Sequence, residues 1–483
     1  MRFRLAPVLL STALCLGPGL PLVARADDAP TPVQPLGVRY RIERVEVTGN
    51  RHTRRDVILS RVPFRTGRVL DVDDPRIEET RLRLLATGYF SEVELSLRRG
   101  QRRGWVVLEV RVRERGTLLV HDLALGVAQG DFYGGLDAGD VNFLGLGIDA
   151  SAAFVAGRGQ QAYRLRLLHP TFFGPRSYFR AMGLYSRAAD FVATGDVRSS
   201  ECSAADDYRC DRARVRYERG GMSFGGGHTV TGSLRLNLRW RLEVVRALEL
   251  PLAASEPRGD EVVAVDPGIH PGMSRLSTLA AGVEYDSRDD PYMPSTGVRA
   301  WGEAELSAWV TGSSYEYARF TSGIEAYARL GWGHVLKLDV FGGLIVGDAP
   351  VFEQFFVGDL SDLVPSRILD IAFDERSAPN LLGTTVAEMR YEDIAGRVGL
   401  EYAVPLHRSR SIVYGVDFFA GVGLYALASM DDLVLPPSGY DGPAKLPIDV
   451  TFDLGFRVDT EIGVFGLSFS NLIGLVPFRQ EEP

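Results

Sequence analysis

Residues 233 to 245 read SLRLNLRWRLEVV, with Leu234, Leu236, Leu238, Trp240 and Leu242 on one parity and Arg235, Asn237, Arg239, Arg241 and Glu243 on the other. A period of two sends these sets to opposite faces of a β-strand. Such a strand needs an apolar covering on one side and a wet one on the other. In a soluble sheet the leucines would meet a second layer and the arginines would face water. The rest of the chain decides which covering is on offer.

From residue 117 onward it offers only more strands. Fifteen alternating segments can be drawn, from LLVHDLALGVA and FYGGLDAGDVNF through VRAWGEAELSAW to IDVTFDLGFRVDT and GVFGLSFSNLIG. Nothing between them reads as an amphipathic helix of useful length, so the apolar faces must meet another sheet or lipid. The connections favour lipid. Turns after even-numbered strands are mostly short (LGLG, PTFFGP, TVT, GWG, HRSR), whereas those after odd-numbered strands include residues 190–212, 246–274, 348–394 and 428–447. Sorting of loop length by strand parity is what a transmembrane barrel shows, and only a closed sheet leaves no unpaired edge in hydrocarbon. The expected fold is mostly β: a transmembrane antiparallel β-barrel of about 16 strands over 117–483, preceded by one small α+β domain. Trp240 and the leucines would face the bilayer, and Arg235, Arg239, Arg241 and Glu243 a wet lumen. VRAWGEAEL repeats the arrangement, with Arg299, Glu303 and Glu305 on one parity and Ala300, Ala304 and Leu306 on the other.

The N-terminus fits an exported protein. Arg2 and Arg4 precede an apolar stretch and Ala24-Arg25-Ala26 resembles a cleavage site, predicting a signal peptide over 1–26 cut before Asp27, then a linker over 27–37. Cys15 follows Leu14, which is too bulky to precede a lipidated cysteine. No later segment reaches the roughly 18 apolar residues of a transmembrane helix. Cys202 and Cys210, in ECSAADDYRCD, are expected to form a loop disulfide; a zinc site would need further ligands that the stretch lacks. The net charge of −8, without an evident basic block, argues against nucleic acid.

Residues 38–115 have the order strand, helix, helix, strand, strand (βααββ). VRYRIERVEVTGN ends in the Gly49-Asn50 turn; Thr53 is placed to cap RRDVILSRV; Asp73 or Asp74, with Pro75, opens a second helix that Gly88 stops; FSEVELSLRR and GWVVLEVRVRER follow. With Gly49 and Asn50 closing the first strand and Gly88, Tyr89 and Phe90 linking the second helix to the next strand, this stretch resembles one POTRA domain, the periplasmic module of BamA/TamA-type outer-membrane assembly and translocation proteins.

The barrel region resembles the same family. GGLDAGDVNFLGLG is similar to its second strand and turn, and YDSRDDPYMPSTGVRA, with Tyr285, Asp286, Arg288, Asp289, Pro294 and Gly297, to its eighth strand, turn and ninth strand. By residue type the latter is a tight acidic Gly/Pro turn whose spacing does not match an EF-hand calcium loop. The resemblance implies a sixth outer loop, about 348–394, that folds into the lumen and sets an arginine against acidic residues of strands twelve and thirteen. Arg367, Glu401 and Asp417 occupy those places, although Ile368 and Leu369 stand where the family has Gly and an aromatic residue. The family's last strand is also poorly matched by LVPFRQEEP, where Pro477 interrupts any ladder and Phe478 is the nearest terminal aromatic.

The resemblance implies a protein of the outer membrane of a Gram-negative bacterium, with the POTRA domain in the periplasm, that assists insertion or translocation of client proteins. Expected partners are the lipid bilayer, unfolded clients received by strand addition, and periplasmic or inner-membrane accessory proteins. A passive channel or surface-display barrel is the alternative. There is no G-x-S-x-G, H-E-x-x-H or P-loop, and His169, His228, His334 and His407 stand singly near turns. No catalytic residue, cofactor or metal site is therefore expected.

Overall fold

A computed structural model describes residues 39–128, 131–194, 212–251, 254–258, 261–290, 293–361, 366–373, 380–384, 386, 390–409, 413–429, 446–460 and 463–468. The N-terminal domain runs β1 (Arg39–Thr48), α1 (Arg55–Leu59), β2 (Val69–Asp71), α2 (Pro75–Leu85), β3 (Phe90–Arg99) and β4 (Trp105–Glu114). Its sheet has the order β2-β1-β4-β3, with β1 parallel to β4 and β3 at one edge. The short β2, paired to β1 through Arg39–Arg41, is an addition to the βααββ order. Three residues leave too little alternation to show in sequence. Ile42, Ile58, Leu70, Leu84, Tyr89, Phe90, Leu108 and Val110 form the core between helices and sheet. Gly49 and Gly88 take positive φ (88° and 75°), the turn conformation that a Cβ disfavours. Asp74 caps α2 by accepting from the Arg76 N–H, with Pro75 in the first turn. Thr53 does not cap α1: the N-cap is Arg54, without a side-chain bond, and Thr53 is committed elsewhere.

The second unit is a closed barrel. Its wall strands are β5 (Leu118–Ala128), β6 (Asp131–Asp140), β7 (Asp149–Gly157), β8 (Gln160–His169), β9 (Ser177–Thr194), β10 (Arg212–Thr229) and β11 (Leu234–Glu249), then β14 (Met273–Asp286), β15 (Gly297–Ser307), β16 (Glu316–Arg329) and β17 (Val335–Asp348), then β20 (Ile394–Arg408), β21 (Val413–Ala428), β22 (Ile448–Thr460) and β23 (Gly463–Ser468), which closes on β5. All fifteen alternating segments are thus wall strands; the residues available for a sixteenth, 469–483, lie outside the described residues, as do Cys202 and Cys210. A hairpin, β12 (Ser255–Arg258) and β13 (Glu261–Ala264), rises from the long β11–β14 connection and touches β9 at Thr194. In the β17–β20 connection a two-residue ladder joins β18 (Phe355–Phe356) and β19 (Tyr391–Glu392).

The pleat resolves the two faces of β11. Leu236, Leu238, Trp240 and Val244 are 43–59% exposed on the outside, where Trp240 stands opposite Phe224 of β10 and Leu279 of β14. On the inside Arg239 reaches Glu303 and Glu305, and Glu243 and Val245 are buried. Leu165, Leu167, Phe320, Ile324, Val340, Val398 and Leu424 continue the outer apolar band around other strands. No helix among the described residues is long and apolar enough to cross a membrane.

Candidate functional site: an inward loop and a docked domain

The lumen is filled by the connection between β17 and β20. Phe352, Phe355, Phe356, Val357 and Leu360 leave Asp348 inward and pack with Val215, Tyr217, Val245, Leu276, Tyr317 and Ile345 of the wall. The fit is close: a Cβ built on Gly343 of β17 would stand 2.3 Å from the Phe355 ring, so only glycine admits that ring. Tyr391 donates to Asp190 of β9 at 2.7 Å, and Tyr217 donates to the same carboxylate at 2.6 Å. Farther along, Phe373 stacks on Tyr133 of β6 with centroids 4.7 Å apart, and the N–H groups of Leu381 and Leu382 donate to Asp449 of β22. Contacts therefore reach several sides of the barrel.

The charged anchor of this loop is Glu353. Its carboxylate, 3% exposed, accepts from Arg241 of β11 at 2.8 and 2.9 Å and from Arg219 of β10 at 3.4 Å, with Arg319 of β16 at 3.9 Å. Arg219 also pairs with Glu243 at 2.8 Å and lies over the Phe352 ring at 4.3 Å; Arg241 also pairs with Glu305 at 2.7 Å. Three guanidinium groups thus balance three buried carboxylates, the condition under which buried charge is tolerated.

The expected contact of Arg367 with Glu401 and Asp417 is not made. Arg367 pairs with Asp359 of its own loop at 2.7 Å and donates to the carbonyls of Phe352 and Gln354. Glu401 instead pairs with Arg457 of β22, beside a polar cavity of about 300 Å³ that Lys337, Asp339, Arg397 and Asp453 also line, and Asp417 pairs with Arg408 at 2.5 Å. The physical reason is local. Asp359 sits eight residues from Arg367, within reach before any wall strand, and Arg457 already neutralises Glu401. In effect the loop-to-wall pair has the opposite polarity to the expectation: the loop supplies the acid and the wall the arginines. Sequence reading missed Glu353. Its signal was an acid set between aromatics in VFEQFF, opposite inner-face arginines on β11.

The turn from Tyr285 to Gly297 is built as a self-bonded acidic turn. Asp286 pairs with Arg288 at 2.8 Å; Asp289 accepts from the N–H groups of Ser295 and Thr296 at 2.8 and 3.1 Å. Burial raises the Asp289 carboxyl, but bonds from Ser295, Thr296 and Asp290 outweigh it and hold the group well below the usual range. Gly297, with φ 105°, has no room for a Cβ, which would meet the Ser287 carbonyl at 2.4 Å. Tyr285 is on the outer face, 44% exposed. No group of three or more metal-ligating residues occurs among the described residues.

The N-terminal domain grips the β6–β7 turn at the same end of the barrel. Asn142 donates to Thr53 Oγ1 at 2.9 Å while its carbonyl accepts from Gly147 N–H; Arg54 N–H donates to the Gly145 carbonyl at 2.9 Å. Val141 packs on the domain's core, and a Cβ on Gly145 would stand 1.9 Å from the His52 carbonyl. Glu114 ties the same corner, accepting from the N–H groups of His52 and Thr53.

A closed outward-apolar cylinder, a loop packed inside its lumen and a small α+β domain docked beneath it define a transmembrane β-barrel with an inward loop and an appended domain. Comparison with known proteins places it further. Residues 40–115 match the family model described as surface antigen variable number repeat, the POTRA domain, and residues 142–363 match the Omp85 superfamily domain. The outer membrane protein assembly factor BamA of Nitratidesulfovibrio vulgaris is 25% identical over 435 residues, covering 86% of this chain and 48% of that protein. The chain thus spans about half the length of that curated relative. Among solved structures, BamA from Haemophilus ducreyi lacking POTRA domains 1–3 superposes with a TM-score of 0.58 at 14% identity, over 89% of this chain and 80% of that one. CdiB from Escherichia coli does so with 0.53 at 12% identity, over 87% and 70%. Residues 142–363 thus carry an Omp85 superfamily domain behind a single matched POTRA domain, a BamA/TamA-type arrangement. The Omp85 relatives found, BamA and CdiB, are assembly or transport proteins.

Proposed function

We propose that the protein sits in the outer membrane of a Gram-negative bacterium, POTRA domain in the periplasm, and assists insertion or translocation of client proteins. The observation that carries this reading is the uneven wall. β5 to β8, next to the β23–β5 closure, have 11, 10, 9 and 10 residues, whereas β9, β10 and β11 have 18, 18 and 16. A tilted strand needs about 9–11 residues to cross the hydrocarbon, so the wall beside the closure has nothing to spare. Lipid there meets a low rim, and local thinning lowers the cost of bringing new strands across. β23 pairs with β22 through six residues, the least extensive antiparallel ladder of the described wall. β3, paired on one side only, offers an edge for an extended client.

The passive-channel alternative fits less well, because the aromatic side chains of the inward loop occupy the lumen. The test is reconstitution of the full chain in liposomes, followed by addition of an unfolded outer-membrane barrel client. The proposal expects the client to become heat-modifiable faster than in empty liposomes, and expects a shortened chain lacking residues 39–115 to lose much of that gain. Steady conductance without acceleration of the client would support the channel instead.

A further inference from the structure

The overall charge of −8 conceals a basic domain: residues 39–115 hold 19 Arg and no Lys against 12 Asp and Glu, a formal +7. Much of the surplus gathers at one end. The parallel register of β1 with β4 and the antiparallel register of β4 with β3 put the start of β1, the start of β4 and the end of β3 together. The turn before β2 joins them, through the bonds of Ile42 N–H to Arg68 and of Gly67 N–H to Ile42. That end carries Arg39, Arg41, Arg65, Arg68, Arg99, Arg102 and Arg103, all exposed. Among the described residues none of the seven has a carboxylate within ion-pair distance, while Arg44, Arg76, Arg81, Arg98, Arg111 and Arg113 of the same domain do. The nearby acids are few. Glu43 accepts from Arg44 and from the Gln101 N–H, Asp71 lies across from Arg39, and Asp73 and Asp74 follow Asp71, Asp74 being paired with Arg76. The barrel docks at the other end, through Thr53 and Arg54.

We infer that this arginine end of the POTRA domain is a docking surface for a carboxylate-rich polypeptide segment. Guanidinium forks match carboxylates two bonds at a time, and seven uncompensated ones repel each other until an anion arrives. Two features favour a polypeptide over a lipid surface. The ten-residue strands set the cluster about 30 Å from the docked turn, on the side away from the membrane that holds the barrel. And the open edge of β3 runs into it at Arg98 and Arg99, so a chain added along that edge delivers its acidic residues to Arg99, Arg102 and Arg103. The site stands whether or not the barrel inserts clients.

The test uses the full chain in neutral phosphatidylcholine nanodiscs and a fluorescein-labelled oligoglutamate read by anisotropy. Arg99→Gln/Arg102→Gln/Arg103→Gln should weaken binding about tenfold or more, whereas Arg51→Gln/Arg81→Gln/Arg83→Gln, the same loss of charge away from the tip, should change it less than about twofold; raising salt should weaken binding of the parent chain. Equal losses in the two triple variants would mean general attraction to a basic domain and would overturn the site. So would no binding at low salt. Tip-dependent retention on phosphatidylglycerol vesicles without oligoglutamate binding would assign the tip to lipid and equally overturn the proposal. Heat-modifiability and circular dichroism of each variant keep a folding failure apart from a binding loss.

Discussion

Glu353 exerts more leverage than its size suggests, because its buried carboxylate faces three guanidinium groups, that of Arg219 buried with it. Removing one member of a buried ionic set typically costs about 3–5 kcal/mol. Glu353→Gln is therefore expected to free the loop and raise single-channel conductance in planar bilayers, with the barrel still heat-modifiable; unchanged conductance would deny the anchor. Shape provides an independent check. Gly343→Val should dislodge Phe355 and open the lumen likewise, and adding Phe355→Ala should restore the low conductance by vacating the ring's place. Outside the membrane, burial pushes the Glu114 carboxyl up, but N–H groups of Thr53 and His52 more than compensate and hold it below the ordinary range. A depressed folded value stabilises the ionised form, so the contribution is complete above about pH 4.3 and is lost as pH falls through the folded value. Hydrogen-exchange protection at residues 52 and 53, taken relative to the intrinsic rate at each pH, should fall on that descent in the parent chain, and in Glu114→Gln it should already be low at neutral pH. At this scale the sequence misled where partner choice mattered: Arg367 has the right residue type, but only the folded loop shows that Asp359 reaches it first.

The wall strands were legible because lipid outside and a polar filling inside impose alternation, and β11 carries it from Leu234 to Glu243. Loop-length parity was legible for the same reason, since only one rim bears long connections. Elements without a two-faced environment left little trace. β2 and the β12–β13 hairpin have three and four residues per strand, and the inward turn of the β17–β20 loop depends on wall residues far away in the chain. The β6–β7 turn belongs with them: LGLG reads as a connector, yet Gly145 and Gly147 are small because the POTRA domain lies against them. Gly145→Val should undock the domain, broadening spin-label distances between the POTRA sheet and the barrel, while Asn142→Ala, which removes two bonds without a clash, should broaden them less. Distances unchanged by Gly145→Val would show that the dock does not hold the domain.

On the scale of the whole molecule, charge and hydrophobicity are divided by region: arginine on the domain below, an apolar belt outside the cylinder, ion pairs and aromatic rings within. Composition averages these regions, which is why a net −8 hid a basic domain. The barrel and its family likeness were legible through pattern; the uneven wall, on which the insertion reading rests, emerges only when strand lengths are compared around the ring. All of it presupposes that the leucine face of β11 touches acyl chains. Single cysteines at positions 236 to 241, carrying a fluorophore and reconstituted with lipids bearing a quencher in mid-chain, test this most directly. Quenching strong at 236, 238 and 240 and weak at 237, 239 and 241 is the predicted result; uniform quenching, or none, would contradict a membrane-spanning barrel.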